Sequence, residues 1–416
     1  MMARRRHTFT RSQRGNIAVM AALTAPLMIG AATLGVETGY WFFERERAQQ
    51  AADLAAHAGA VVLRSGGAEK AVAATAHGEA GRHGFEGPQA TVAVNTPPLT
   101  GPNAHARAVE VTIAFPIRRF FSAIFNDAPI IGNVRAVAVF ENDASACMLA
   151  LDIAASGAMR FSGNADITLL NCEVMSNSIA NDAVLHQGSA DLVTDCVNAV
   201  GGVVLKESNL QMECAAERVG LPRAVDPYAG TPMPDLNQPC ASLPSGKKGE
   251  RQTVSPGPNG ITKFCNGLDI KDELFFEPGV YIVEGGTFRL NAQADIAGEG
   301  VTFVMTDGAE ARFNGSAEIN IKAPTSGPYV GIAIMGDPAD TSVTHTFNGN
   351  ATSRITGAIY TPGSAMRFLG NFSGENGCMQ LVGAKIDLSG NLKMETDCSD
   401  TGIKWGQVPG RVRLVE

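Results

Sequence analysis

From Asn16 to Val36 the chain runs without a charge through NIAVMAALTAPLMIGAATLGV, 21 residues in all. As a helix such a stretch spans about 32 Å, enough to cross a hydrocarbon core of about 30 Å. Tyr40, Trp41, Phe42 and Phe43 follow, where an interfacial aromatic belt belongs. A cleaved signal peptide normally has a shorter apolar core and an A-x-A-like site, and here charges resume at Glu37 and Glu44 with no such site between. The pattern predicts an uncleaved membrane anchor marked by Asn16, Pro26, Gly30, Gly35, Tyr40 and Trp41. Helical spacing continues through ERERAQQAADLAAHAGAVVL, with Arg47, Ala51, Leu54, Ala58 and Val61 on one narrow stripe. Ser65-Gly66-Gly67 is a stop signal. One helix is therefore expected over 16–63, with His57 on its solvated face.

Beyond an Ala-rich, helical stretch at 66–88 the period changes. ATVAVN (90–95), RAVEVTIAF (107–115) and VRAVAVF (134–140) alternate apolar and polar positions, as half-buried strands do. PPLTGPN between the first two is a turn signal, and FPIRRFFSAIF reads as a short amphipathic helix. A small α+β segment is expected over 64–143.

From Cys147 onward a phrase recurs: apolar, x, Gly, Asn or Ser, then a small residue, a polar one and an apolar one. It stands as FSGNADI at 161, HQGSADL at 186, FNGSAEI at 313 and FNGNATSRI at 347, with echoes at 368 and 388. Recurrence at 20 to 25 residues marks a stacked solenoid, with Gly, Asn and Ser at corners that need unusual backbone angles. The cysteines keep the same period. Cys147 to Cys172 and Cys240 to Cys265 are each 25 residues apart, and Cys378 to Cys398 is 20. Residues one coil apart in a parallel stack lie about 4.8 Å from each other, within disulfide reach. Those three pairs, with Cys196–Cys214 as the fourth, are expected. Residues 220–260 interrupt the pattern with eight prolines, which predicts an excursion between a solenoid block at 144–219 and another at 261–416. The expected fold is mainly β: an N-terminal transmembrane helix, an α+β segment, then a right-handed parallel β-helix.

Composition sharpens this in two ways. Residues 1–14 carry five Arg (4, 5, 6, 11 and 14) and no acid, so with a net charge of −8 the remaining 402 residues sum to −13. The basic tail, 1–15, is expected to stay in the cytoplasm and send the rest of the chain outward. An acidic body excludes a polyanion grip, so no nucleic-acid partner is expected. All eight cysteines lie beyond residue 146 without C-x-x-C spacing, which favours disulfides in an oxidising compartment over zinc.

Candidate chemistry is thin. LALDIAASGAM (149–159) looks like the start of a metal-dependent adhesion site, but the D-x-S-x-S pattern fails where Ala154 replaces a hydroxyl. Asp152 and Ser156 are then corner residues. Asp152, Asp166, Asp191 and Asp195 with Arg160 would be the acids and cation of a polysaccharide-cleaving β-helix, but they fall one per turn. His77, His83 and His105 fit no ligand spacing. No catalytic, metal or cofactor site and no small-molecule substrate is expected. The competing reading is an anchored β-helix that binds or cleaves polysaccharide.

The N-terminal stretch resembles the membrane module of TadG/TadE-like proteins of the Tad (Flp, tight-adherence) pilus machinery. Arg14-Gly15-Asn16 before the apolar helix, Gly39-Tyr40 after it, and the Ala-rich Gln50 to Ala60, with Ala51, Ala52 and Ala58, carry the likeness. Prepilin-peptidase substrates have Glu five residues after the cleaved Gly; Met20 stands there, so no such processing is expected. DPYAGTPMP, FFEPGVYIVEGGTF and APTSGPYVGIAIM resemble, more loosely, β-helical members of the same family. The helix-then-sheet layout of 64–143 is pilin-like, and this segment also resembles the family module. The resemblance implies a non-enzymatic structural part of pilus assembly or anchoring in a bacterial inner membrane. Its partners would be other assembly proteins, and it would support adherence.

Overall fold

The computed structural model describes residues 14–65, 67–140, 144–244, 250–350, 352–373, 377–395, 398–410 and 412–416. The basic tail, apart from the backbone of Arg14 and Gly15, lies outside the described residues, as does Gly66 of the stop signal. The chain forms two compact units, Met1–Glu141 with Gly410–Glu416, and Asn142–Pro409.

In the first unit, helix α1 (Arg14–Arg64) is continuous through Pro26. Residues 17–36 bury nothing: the helix's most apolar stretch has a mean hydropathy of 2.0 and none of it is buried. Thr24 Oγ1 donates to Met20 O and Thr33 Oγ1 to Gly30 O, so the hydroxyls of this stretch are satisfied within the helix. The second half is different. Ala48, Ala51, Ala52, Ala55, Ala56 and Ala60 are buried against a sheet. Small side chains allow that approach: a Cβ added to Gly59 would lie 3.1 Å from Val109 Cγ1. The buried stripe is rotated from the expected one, since Leu54 and Arg47 face outward and Ala58 is half-buried. Alanine occupies nearly every turn here, so the period alone does not choose the face. His57 is exposed. The helix ends as Ser65 and Gly67 N–H groups bond back to Val61 and Val62 carbonyls.

Helix α2 (Glu69–Arg82) lays Val72, Ala76 and Ala80 into the same core. The sheet is antiparallel, in the order β1 (Thr91–Asn95), β2 (Ala108–Ile117), β3 (Ile130–Phe140), then Val412–Leu414. The last strand is thus supplied by residues 412–414, which corrects the expectation that the solenoid runs to 416. The expected amphipathic helix at 115–125 is absent. Strand β2 runs on through Pro116 to Ile117, and only a single 3₁₀ turn, Ser122–Ile124, follows.

The second unit is a parallel β-solenoid with three faces. Its coil order corrects the picture of two blocks parted by a linker. On the first face the strands stack as Ile261–Cys265, Gly279–Glu284, Val301–Thr306, Ile332–Gly336, 357–361 and 379–383. The stack then continues into Ala144–Ala150, Glu173–Ser176 and Val197–Ala199. The last coil of the second block therefore sits directly on the first coil of the first block. The solenoid is one continuous body that the chain enters in the middle.

Inside it a column of phenylalanines runs Phe276, Phe303, Phe288, Phe313, Phe347, Phe368 and Phe372, with successive ring centroids 4.9 to 5.6 Å apart. Edge-to-face and tilted contacts of this kind suit the ring quadrupole. The recurring glycines stack at one corner. A Cβ on Gly370 would lie 2.2 Å from Gly349 O, and one on Gly390 2.1 Å from Gly370 O. Only hydrogen fits between coils there.

Residues 221–240 of the Pro-rich excursion form a strap laid over the outside of the first face, whereas Gln252–Val254 already stacks as a coil strand on Glu273–Phe276. Leu221, Ala224 and Tyr228 bury against Leu149, Met175, Val304, Tyr360 and Val382, forming a second core outside the coils. Asn177 exchanges two hydrogen bonds with the backbone of Ala224. Tyr228 Oη donates to Gln380 Oε1 and Tyr360 Oη to Asp226 Oδ2. Proline suits this role, because an extended strap that packs through side chains needs few backbone donors.

Candidate functional site

Where α1 leaves its bare apolar half, Glu37 is fully buried. Its carboxylate accepts the Phe120 N–H at 2.8 Å, the Ser122 N–H at 2.9 Å and the Ser122 hydroxyl at 2.8 Å. One turn on, Trp41 Nε1 donates to Arg118 O at 3.2 Å, and the Tyr40 and Phe120 rings meet at 4.9 Å. The Arg119 guanidinium lies 5.9 Å from the Trp41 ring and its Nε donates to Ala128 O. Residues 118–128 are thereby fastened to the helix at its exit. Charge-assisted bonds from backbone N–H groups to a buried carboxylate are among the stronger hydrogen bonds, and they offset the cost of burying Glu37. The sequence reading took Glu37 only as the point where charge resumes; its partners are more than eighty residues away.

The other anchor residues divide. Pro26, Gly30 and Gly35 lie on the bare half of α1, and a Cβ at Gly30, Gly35 or Gly39 would meet nothing. Tyr40 and Trp41 are the ones brought into the exit cluster. Of the motif residues, Ala51 and Ala52 form the packing face, Ala58 flanks it, and Arg14, Gly15 and Asn16 are helical in backbone.

At the far end of the sheet Glu110 is buried beneath Arg135, whose Nε lies 2.6 Å from Glu110 Oε1 and whose guanidinium also meets Glu416. Burial would push the Glu110 carboxyl up, but bonds from Arg135, Leu99 N–H and Asn95 outweigh it and hold the group below its usual value. This network ties the loop after β1 and the chain's last residue to the sheet.

In the solenoid the four disulfides join Cys147 to Cys172, Cys196 to Cys214, Cys240 to Cys265 and Cys378 to Cys398, with Cα separations of 5.5 to 5.6 Å. The first staples adjacent coils, and the third ties the end of the strap to a coil. The acids weighed as catalytic do not converge. Asp152 follows the first face, and its Oδ1 accepts the N–H groups of Ala154 and Ala155 at 2.9 and 2.8 Å. Ser156 donates to Asp182 at 2.6 Å. LALDIAASGAM is thus a strand and a capped corner. Arg160 stands on the second face, in register with Asp387. Asp166 and Asp191 are neighbours in register on the third face, where Asn209 Nδ2 donates to Asp191. Asp195 lies at the corner beyond, its carboxyl raised by burial and by Glu213. Among the described residues no group of three or more His, Cys, Asp or Glu is placed to hold a metal ion. His83 meets Glu79 at the end of α2, apart from His105 in the loop after β1.

Residues 15–62 match the family model described as "Putative Flp pilus-assembly TadE/G-like". The matched segment is α1 almost end to end: the bare apolar half, Glu37, the aromatic exit and the alanine face. Among curated proteins and among solved structures, none matches the chain.

Proposed function

We propose, from the Flp pilus-assembly module at residues 15–62, that the chain is a non-enzymatic, membrane-anchored structural component of Flp (Tad) pilus assembly that supports surface adherence. The observation that carries this reading is the coincidence of the matched segment with a helix whose apolar half has no protein to cover it. Leu27 and Ile17 are about three-quarters exposed, which is untenable in water for a contiguous stretch and ordinary in lipid. In this reading residues 17–36 cross the bacterial inner membrane. The basic tail is cytoplasmic, and the rest of the first unit beyond the span, like the solenoid, is on the other side. Four disulfides support the oxidising side for the solenoid. Other pilus-assembly proteins would meet the solenoid faces.

Deleting the gene and restoring it with variants tests this. Loss of Flp pili and of adherence, restored by the full chain and not by one lacking residues 17–36, is expected. Photo-crosslinkers on the exposed solenoid faces should capture pilus-assembly proteins. Unchanged piliation with capture of none of them would sink the reading, and sugar release by the purified protein would replace it with the polysaccharide one.

A further inference from the structure

The segment fastened to the helix exit carries an apolar surface that the fold does not use. Ile124 is 83% exposed and Phe125 91%, and Phe120, Phe121 and Ile131 are also exposed. Phe42 and Phe43, next after Trp41 on α1, are exposed as well. Arg118 and Arg119 stand immediately before the segment, and Asp127 is the acid nearest after it. Three bonds to Glu37 and one from Trp41 fix this segment level with residues 37–41, one turn beyond the last residues of the uncharged stretch.

We infer that residues 120–125, with Ile131, lie in the lipid interface of the leaflet from which α1 emerges, making a second membrane contact beside the spanning helix. Continuity decides the occupant. The apolar patch adjoins a helix surface that is itself immersed in lipid, so a bilayer covers both without a boundary. The chemistry agrees. Phenylalanine and isoleucine suit the headgroup–acyl boundary, and two arginines at its edge suit lipid phosphates. A partner protein would instead have to seat on a patch whose margin is already in the bilayer. The geometry gives the contact a purpose: a lone spanning helix can tilt and rotate, whereas a second point held by the buried Glu37 carboxylate restricts both.

This rests on the reading that residues 17–36 cross a membrane, and the test separates the two. All native cysteines are in disulfides, so a single introduced thiol takes an environment-sensitive nitrobenzoxadiazole label cleanly. The full chain carrying Leu27→Cys, Ile124→Cys or Leu99→Cys is labelled and reconstituted in liposomes containing spin-labelled phospholipids. Leu99 is exposed in the loop at the opposite end of β2 and serves as the aqueous reference. The expected result is blue-shifted emission and loss of emission to the lipid quencher at 124 as at 27, with quenching only by aqueous iodide at 99. If 27 is quenched by lipid and 124 behaves like 99, the interfacial contact is refuted while the span stands. If neither is quenched by lipid, both readings fall. Protection of 124 from lipid and aqueous quenchers alike means a protein covers the patch, which also overturns the inference.

Discussion

At the scale of single residues, two buried ionisable groups carry more than their composition suggests. Glu37 orders a segment remote in sequence, and a carboxylate that accepts three bonds has no neutral substitute. Glu37→Ala should free residues 118–128, seen as faster trypsin cleavage after Arg118 and Arg119 in the membrane-reconstituted protein; cleavage at the wild-type rate would show that the bonds are incidental. No pattern in the sequence announces this residue, because two of its three bonds come from backbone groups and all its partners are more than eighty residues away. His345 works in the opposite sense. It is buried on the second face of the solenoid, and its Nδ1 accepts the Ala311 N–H at 3.2 Å, so protonation would cost both solvation and that bond. Burial pushes its pKa down to about 4 from an ordinary 6.5. The unfolded chain therefore takes up a proton that the folded one refuses. Its contribution is full above about pH 6.5 and is lost as pH falls from there toward 4. Replacing it by His345→Gln should flatten the fall in stability across that window by up to about 3 kcal/mol. Denaturant midpoints at pH 7 and 4.5 check this, and parallel curves for the two proteins would contradict it.

Among elements, legibility followed the period. The apolar run, the strand alternation and the coil phrase all repeat in ways that side chains impose, and each element stands close to where its pattern lies. Two elements depart from their patterns because nothing periodic shapes them. The 115–125 segment begins as the end of β2, with Phe115 and Ile117 buried in the sheet, and bonds to Glu37 hold the remainder as a loop with one 3₁₀ turn. The strap has no period at all, since it packs through scattered residues such as Leu221, Ala224 and Tyr228 onto a face already built. Its far end is tied by Cys240–Cys265, a separation of 25 residues. Closing a loop of that length contributes roughly 3 kcal/mol in the chain-entropy account, so Cys240→Ser with Cys265→Ser should lower solenoid stability by about that much. Guanidinium titration gives the number. An unchanged midpoint would mean that the strap's side-chain packing suffices. At the glycine corner the constraint is steric rather than entropic: Gly370→Ala places a methyl on the Gly349 carbonyl and should cost at least about 1–3 kcal/mol by forcing two coils apart.

On the scale of the whole molecule, both units join segments that lie far apart along the chain. The solenoid closes its stack by setting residues 379–395 on 144–170, and the first unit completes its sheet with the last residues of the chain. Local pattern cannot reveal either arrangement, because both depend on which edge a strand finds, and all coils offer similar edges. The C-terminal strand has a definite job. Val137 N–H donates to Glu416 O and Val415 N–H to Val137 O, Arg64 reaches Gly410 O, and the Glu416 side chain meets Arg135. Without it β3 becomes an exposed edge and Arg135 loses one of its two carboxylates. Removing residues 410–416 should therefore speed amide exchange at Val137 by about tenfold or more, as the edge of the sheet opens locally. Amides within the solenoid coils, such as Ile359, should keep their protection. Equal slowing at Val137 with and without the tail would mean that α1 and β2 hold β3 unaided. The stabilising role of residues 412–416 within the first unit would then fall, though the sheet order would stand.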